Sequence, residues 1–154
     1  MHLSIPDAEA MEGLGAKLAA CCPVSSRIYL QGELGSGKTT LVRGFLRQLN
    51  YQGKVKSPTY TLIEPYLFAD VEVYHFDLYR INDPLELETI GLRDYFDGNG
   101  ICLIEWPERA ADLLGDPDVM IYISMVTTNL GYGASRDISL QANTSSGKAI
   151  LDQL

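Results

Sequence analysis

Apolar residues recur at helical and strand spacings along most of the chain, and they predict alternating helices and strands. A first helix is expected to begin after a cap at Ser4 or Asp7 and to run to about Ala20. A buried strand over residues 27–31 and a second helix over residues 38–49 are expected next. The apolar faces of the two helices are Met11, Leu14 and Leu18, then Leu41, Phe45, Leu46 and Leu49.

Two glycines interrupt the first helix pattern. Gly13 and Gly15 both lie inside it, and glycine in a helix interior is less favourable than alanine by roughly 1 kcal/mol. We therefore expect both residues to weaken this helix.

The later part of the chain predicts three further kinds of element. Residues 59–63 and 71–76 are rich in β-branched and aromatic side chains, which indicates a hairpin with its turn near Ala69-Asp70. A helix capped by Asn82 or Asp83 and ended by Gly91 should follow. Its expected inward-facing residues are Leu85, Leu87 and Ile90.

The remaining strands complete the expected sheet. Residues 101–104 form a continuous apolar run typical of a central parallel strand. Residues 119–125 and 137–142 are strand candidates, and residues 127–135 between them are expected to be a loop. The pattern predicts one α/β domain: a mostly parallel central sheet flanked by helices, with antiparallel edge strands.

One segment carries a specific chemical signature. Residues 32–39 match the P-loop pattern G-x-x-x-x-G-K-[ST], with a predicted strand before it and a predicted helix after it. The glycines let backbone N–H groups reach phosphate oxygens, Lys38 supplies a cation, and the Thr39 hydroxyl can bind Mg²⁺. The expected phosphate-contacting residues are Gly32, Glu33, Leu34, Gly35, Ser36, Gly37, Lys38 and Thr39.

Two acidic residues follow predicted strands. Glu105 comes directly after residues 101–104 and Asp77 directly after residues 71–76. Strand ends of this kind are where ligands bind in open α/β sheets. One acid would serve the metal and the other would orient or deprotonate the attacking water, but these residues alone leave the assignment open.

One turn and three single residues nearby have less specific signals. Ser57-Pro58-Thr59 is either an ordinary turn or a switch-type loop that brings a hydroxyl to the metal. His75 is expected to be a packed core histidine, and Arg80 to pair with Asp77, reach phosphate or form an exposed ion pair. The single tryptophan, Trp106, follows Glu105. No N-K-x-D sequence is present, so adenine is preferred over guanine.

Composition narrows the possible functions. The net charge of −8 argues against unaided binding of nucleic acid, because a nucleic-acid-binding surface is basic. The N-terminal residues do not form a signal peptide, no apolar run has the length of a membrane helix, and three cysteines without C-x-x-C spacing indicate reduced thiols. We expect a cytoplasmic protein with no membrane contact.

Four motifs together closely resemble the TsaE (YjeE) family, the ATPase component of bacterial tRNA threonylcarbamoyladenosine synthesis. They are GELGSGKTT from Gly32, VKSPTY from Val55, HFDLYR from His75 and Glu105-Trp106-Pro107. The resemblance extends from about Ile5 to about Asp118.

The resemblance implies a fold, a reaction and partners. It implies a small P-loop protein with weak ATPase activity of its own, which acts with TsaD-like and TsaB-like proteins on adenosine 37 of tRNAs that decode ANN codons. The tRNA would be contacted through the complex, which agrees with the acidic charge.

The resemblance also implies residue roles for ATP and Mg²⁺. It implies that Lys38 binds the phosphates and that Thr39 and Glu105 bind the metal. It also implies that Asp77 is essential for hydrolysis and that Thr59 is a switch-like residue near the metal. Thr40 belongs to the same nucleotide-binding motif. Met11 stands where the family often has a threonine near the base. The family often has a glycine-arginine pair in the C-terminal loop, and by this resemblance Arg136 would be a phosphate or base contact.

Two other hypotheses remain for the sequence. A small-metabolite P-loop kinase uses a similar loop in a chain of this size, but arginines beyond the P-loop helix are few and do not cluster. A regulatory module would bind nucleotide without hydrolysing it.

Overall fold

A mixed β-sheet brings the ends of the central strands to one edge of the molecule. The computed structural model describes residues 1–128 and 131–154, with residue 128 and residues 131–133 described by their backbone alone. The strands are β1 (His2–Ile5), β2 (Arg27–Gly32), β3 (Ile63–Leu67), β4 (Glu72–Asp77), β5 (Ile101–Glu105), β6 (Val119–Thr128) and β7 (Gly131–Ala142).

The order of strands across the sheet is β1-β7-β6-β2-β5-β4-β3. The four central strands β6, β2, β5 and β4 run parallel. Strands β1, β7 and β3 join antiparallel at the two sides. The predicted fold class, a single α/β domain with a parallel centre and antiparallel edges, is confirmed.

Helices cover both faces of the central strands. Because side chains along a strand alternate between faces, one strand packs against both helical layers. The helices are α1 (Ala8–Cys21), α2 (Lys38–Gln48), α3 (Leu85–Thr89), α4 (Leu92–Asp97), α5 (Ala111–Leu114) and α6 (Ser145–Leu151), with a 3₁₀ turn at Pro107–Ala110. Ile28 and Leu30 of β2 pack with α1 and α2, whereas Tyr29 between them joins the opposite cluster with Leu87 of α3 and Leu92 of α4.

Close packing of α1 on α2 fixes the position of the helix that follows the glycine-rich loop. A Cβ atom on Gly15 would lie 2.0 Å from the Leu41 carbonyl oxygen, and one on Gly44 would lie 2.0 Å from the Glu12 carbonyl oxygen. The two backbones therefore approach at positions where no side chain fits. The expectation that Gly15 only weakens α1 was incomplete, since the same residue permits this contact.

Several predicted boundaries are confirmed. Asp7, not Ser4, caps α1, because its Oδ1 accepts a hydrogen bond from the Ala10 amide. The β3–β4 hairpin turns at Ala69-Asp70, where the Phe68 amide donates to the Val71 carbonyl. Strand β5 lies between β2 and β4 and is buried along its whole length.

The predicted strand over residues 59–63 was wrong for its first four residues. The Leu62 amide donates to the Pro58 carbonyl and Leu62 has φ of 70°, so the chain turns there and β3 begins only at Ile63. This turn, and not the β-branched and aromatic composition, determines the conformation of the segment. The turn places Thr59 beside the end of β4.

Two predictions about the α3 region were also wrong. Leu87 is buried, but Leu85 is 57% exposed and Ile90 37% exposed. Helix α3 is only five residues long, so it turns a single apolar side chain into the core. The chain then continues after Gly91 into α4, which the sequence pattern did not predict.

The expected loop over residues 127–135 is largely strand, and β1 was not predicted. Strands β6 and β7 form a long antiparallel hairpin whose pairing extends to Thr128 and Gly131, with an irregularity between Met125 and Thr127. The neighbouring strand satisfies the backbone of this Gly-, Thr- and Ser-rich segment. Residues 129–130 of the expected loop lie outside the described residues.

No helix within residues 1–128 and 131–154 is both long enough and apolar enough to cross a membrane.

Candidate phosphate-binding site

The loop formed by residues 32–39, called the 32–39 loop below, joins the end of β2 to the start of α2. Gly35 has φ of 80° and Gly37 has φ of 110°, which are conformations that side-chain-bearing residues rarely adopt. Gly37 is the N-cap of α2 and provides no side-chain cap. The amide groups of the first turn and the positive end of the helix dipole therefore remain available to an anion.

Lys38 is buried inside this loop and is 4% exposed. Its Nζ donates to the carbonyl oxygens of Gly32 at 2.7 Å and Glu33 at 2.9 Å. Burial lowers the pKa of Lys38, and the carboxylates of Glu105 and Asp77 oppose that shift.

The ring of Trp106 covers the Lys38 ammonium group. Lys38 Nζ lies 4.1 Å from the ring centroid, which is within cation–π range. Trp106 itself adopts a left-handed backbone conformation with φ of 60° directly after β5. Trp106, which follows Glu105 in the sequence, therefore lies against the 32–39 loop.

Glu105 is the last residue of β5 and contacts the first turn of α2. Its Oε1 accepts a hydrogen bond from Thr39 Oγ1 at 2.8 Å and lies 2.8 Å from His75 Nε2. Glu105 is 2% exposed and His75 is fully buried. The hydroxyl and the carboxylate predicted to serve a metal are therefore direct neighbours.

Asp77 ends β4 and binds a different set of donors. Its Oδ2 accepts hydrogen bonds from the hydroxyl groups of Ser57 and Thr59, the latter at 2.9 Å, and its Oδ1 accepts from the Tyr79 amide at 2.9 Å. The 57–59 turn is thus attached to the strand-end acid. Thr59 contacts Asp77 here rather than Glu105 or Thr39.

These groups line one cleft of about 480 Å³. Its walls are Leu34, Gly35, Gly37, Lys38, Thr39, Thr40, Ser57, Thr59, Tyr60, Asp77, Tyr79, Arg80, Glu105 and Trp106. Arg80 stacks on Tyr60, with its guanidinium carbon 4.5 Å from the ring centroid. This contact takes the place of the ion pair with Asp77 that was one of the expected alternatives. Gly32 and Glu33 do not belong to this lining, and their carbonyl oxygens instead hold Lys38.

A second hollow of about 230 Å³ lies on the other side of the loop and holds Met11 and Arg136. It shares Gly35, Gly37 and Thr40 with the cleft. Arg136 Nε donates to the Ser36 carbonyl at 2.9 Å and Nη2 to the Gly35 carbonyl at 3.2 Å. The two residues expected at the base-binding edge are therefore adjacent to the loop, and Arg136 contacts its backbone.

The donor chemistry of the cleft fits a phosphate ester with Mg²⁺. Among the described residues no group of three His, Cys, Asp or Glu side chains could hold a metal ion alone. Magnesium commonly uses one or two protein oxygens and takes its other ligands from water and substrate phosphates. Thr39 and Glu105 offer such a pair of oxygens beside the 32–39 loop.

One contributor to the site was not identified from the sequence, since His75 was expected to be a packed core residue. Ser57 lies in the segment predicted to be either an ordinary turn or a switch-type loop, and its hydroxyl binds Asp77. The spacing of His75 and Asp77 by two residues was an available signal, because it puts both on one face of β4. Which partner His75 meets depends on the pairing of β4 with β5.

The fold and the cleft define an α/β protein with a glycine-rich loop and an adjoining cleft at the carboxyl end of a parallel sheet. The family model for "Threonylcarbamoyl adenosine biosynthesis protein TsaE" matches residues 5–138, and the chain belongs to the TsaE family.

Similar proteins match most of the chain. The chain is 45% identical to the tRNA threonylcarbamoyladenosine biosynthesis protein TsaE of Haemophilus influenzae over 152 residues, covering 96% of this chain and 92% of the relative. It is 36% identical to the protein of the same name from Bacillus subtilis over 115 residues, covering 75% and 72%. The crystal structure of Bacillus subtilis YdiB matches with a TM-score of 0.83 at 25% identity, covering 99% of this chain and 92% of YdiB.

Proposed function

We propose that this protein binds ATP with Mg²⁺ and hydrolyses it as a subunit required to form the threonylcarbamoyl group on adenosine 37 of ANN-decoding tRNAs. The single observation that carries the proposal is the convergence of Lys38, Thr39, Glu105 and Asp77 on one cleft. Membership of the TsaE family supplies the pathway. The proposal includes a cytoplasmic location, where tRNA is modified.

Phosphate binding is assigned to the 32–39 loop and Lys38. Lys38 Nζ is held by two loop carbonyls and lies over the Trp106 ring. ATP phosphates would offer this ammonium group stronger, charge-assisted hydrogen bonds. The amides at the start of α2 would bind the same phosphates, and the hollow beside Met11 and Arg136 would take the nucleoside.

Thr39 and Glu105 would hold Mg²⁺, which neutralises charge on the phosphate oxygens when it is bound. Asp77 is the remaining carboxylate in the cleft and is assigned to the attacking water. It would accept a proton as the water oxygen bonds to the γ-phosphorus and the bond from that phosphorus to ADP breaks.

The hydrogen bonds of Asp77 support weak activity in the isolated chain. Ser57, Thr59 and the Tyr79 amide all donate to its carboxylate. These donors already occupy lone pairs of the carboxylate oxygens that would have to accept a proton from the attacking water. Release of the 57–59 turn within a complex of TsaD-like and TsaB-like proteins would free Asp77 to act.

The net charge of −8 agrees with a subunit that reaches tRNA through its partners. A TsaD-like and a TsaB-like protein are the proposed partners. Within the described residues the cleft lining includes one arginine, Arg80, and that residue stacks on Tyr60. This offers little support for the alternative, a small-metabolite kinase with an arginine-bearing lid.

The proposal is tested in the cell and in vitro. Depletion of the protein should remove threonylcarbamoyl from adenosine 37, measured by mass spectrometry of digested tRNA. The wild-type chain should restore the modification, and Asp77→Asn should not. Unchanged modification after depletion would contradict the pathway, and transfer of the γ-phosphate to a small acceptor would favour the kinase.

A further inference from the structure

His75 is an internal polar side chain whose contacts point to the candidate metal site. It is fully buried in β4, on the same face as Val73 and Asp77. Its Nε2 lies 2.8 Å from Glu105 Oε1. Its Nδ1 is buried and has no hydrogen-bond partner in the part of the chain that the structure describes. The contact with Glu105 is therefore the polar interaction that its ring retains.

The direction of this hydrogen bond follows from the chemistry of the acceptor. An ionised carboxylate oxygen can only accept, so Nε2 of His75 carries the hydrogen and donates it. Nδ1 then carries a lone pair and no hydrogen, so it has no N–H group that needs an acceptor in the apolar interior. The structure is consistent with one tautomer, protonated on Nε2.

Glu105 receives two donors on the same oxygen. Thr39 Oγ1 and His75 Nε2 both lie 2.8 Å from Oε1. No hydrogen bond among residues 1–128 and 131–154 uses Oε2, and Glu105 lines the cleft. Two donors on Oε1 restrict rotation of the carboxylate and leave Oε2 for a ligand.

We propose that His75 is a positioning residue that holds the Glu105 carboxylate in the orientation that binds the metal of a metal–nucleotide complex. The inference rests on the proposed nucleotide site. When a metal ion attracts the Thr39 hydroxyl, His75 remains as the donor that keeps Glu105 in place. Partners of this kind commonly change metal affinity by 10- to 100-fold when they are removed.

Three variants distinguish loss of the hydrogen-bond donor from loss of side-chain volume. His75→Leu removes the donor and replaces the ring with an apolar side chain of similar size. His75→Gln retains an N–H group near the position of Nε2. Val73→Ala is the matched control, since it alters a buried side chain on the same face of β4 that does not line the cleft.

The main measurement is the binding of Mn²⁺, as a stand-in for Mg²⁺, to the protein with ADP, followed by electron paramagnetic resonance. We expect about a 10- to 100-fold loss of Mn²⁺ affinity in His75→Leu, recovery to within a few-fold in His75→Gln, and no change in Val73→Ala. ADP affinity in the presence of a chelator, from Trp106 fluorescence, should be the same in all four proteins.

The outcomes distinguish this inference from the proposed function. Equal Mn²⁺ affinity in wild type and His75→Leu would overturn the role of His75 while leaving the nucleotide site intact. Failure of the wild-type protein to bind Mn²⁺ and ADP together would overturn the site itself. A loss in Val73→Ala as large as in His75→Leu would reduce the effect to general destabilisation and would also overturn the role.

A measurement on the wild-type chain needs no variant to fold. Two-dimensional NMR of ¹⁵N-labelled histidine should show His75 protonated on Nε2, with a proton that exchanges slowly with water and shifts when Mg²⁺ and ADP are added. A proton on Nδ1, or a signal unaffected by Mg²⁺ and ADP, would overturn the inference.

Discussion

Asp77 and Glu105 stand opposite each other in register at the ends of the adjacent parallel strands β4 and β5, yet they bind separate donors. Glu105 is held by Thr39 and His75, whereas Asp77 is held by the 57–59 turn and the Tyr79 amide. Two carboxylates at one sheet edge can therefore have different tasks.

Replacement of Asp77 by asparagine should abolish hydrolysis while nucleotide still binds. The amide cannot accept a proton from water at neutral pH, and general base catalysis contributes roughly 10²- to 10⁴-fold to rate. ATP turnover in the presence of the partner proteins should fall by about that factor, and the affinity for ATP with Mg²⁺ should change by less than about threefold.

Glu105→Gln is the matched comparison for Asp77→Asn, because it makes the same carboxylate-to-amide change on the neighbouring strand. We expect it to weaken nucleotide binding only when Mg²⁺ is present, whereas Asp77→Asn should not. Isothermal titration with and without a chelator measures both effects. Identical behaviour of the two variants would contradict separate roles.

Trp106 fluorescence should respond when nucleotide binds. The ring lies 4.1 Å from the Lys38 ammonium group, which must turn toward phosphate and so change the field at the indole. Lys38→Met removes the charge and keeps most of the side-chain volume. We expect it to lower ATP affinity by about 10- to 100-fold, the loss of one or more charged hydrogen bonds.

The control for this prediction is Arg80→Met, which removes a cation that lines the same cleft but stacks on Tyr60. It should leave the Trp106 signal in the free protein unchanged, whereas Lys38→Met should alter it. Equal fluorescence of wild type and Lys38→Met, with and without ATP, would contradict the contact.

Gly44→Ala should destabilise the fold through the α1–α2 contact. The added Cβ atom would lie 2.0 Å from the Glu12 carbonyl oxygen, so the helices must separate. We expect the free energy of unfolding to fall by about 1–3 kcal/mol, as in other overpacked cores. Urea unfolding followed by circular dichroism measures it.

Gly13→Ala is the matched control on the facing helix. Nothing lies within 4 Å of the added atom and Gly13 is exposed, so alanine should stabilise α1 by roughly 0.5–1 kcal/mol. Destabilisation of the same size by both substitutions would show that helix packing is not the cause.

Thiol ionisation should make the fold less stable at alkaline pH. Burial raises the pKa of Cys22 and of Cys102 from 9.0 to about 12. Above pH 9 the unfolded chain therefore releases protons that the native chain retains, and the free energy of unfolding should decrease between pH 9 and pH 12.

At pH 8 these two thiols should react with a thiol reagent roughly 10³-fold more slowly in the native chain than in the urea-unfolded chain. Mass spectrometry of the labelled peptides measures this ratio, and equal native and unfolded rates would contradict it.

The sequence by itself determined the features that depend on neighbouring residues. The glycines and Lys38 of the 32–39 loop, the strand before it and the helix after it follow from local pattern, because phosphate-binding geometry is built from consecutive residues. The strand-end positions of Asp77 and Glu105 could also be predicted, because each acid directly follows an apolar run in the sequence. The motifs also identified the family that the comparison with known proteins confirmed.

Only the tertiary structure decided the relationships that depend on register and burial. Gly13 and Gly15 look alike in the helix pattern, but only Gly15 faces the backbone of α2. His75 becomes a partner of Glu105 because β4 pairs with β5 in one register, which no local signal specifies. Local periodicity encodes which face of an element is apolar, whereas the contacts that complete the site form only when distant segments pack together.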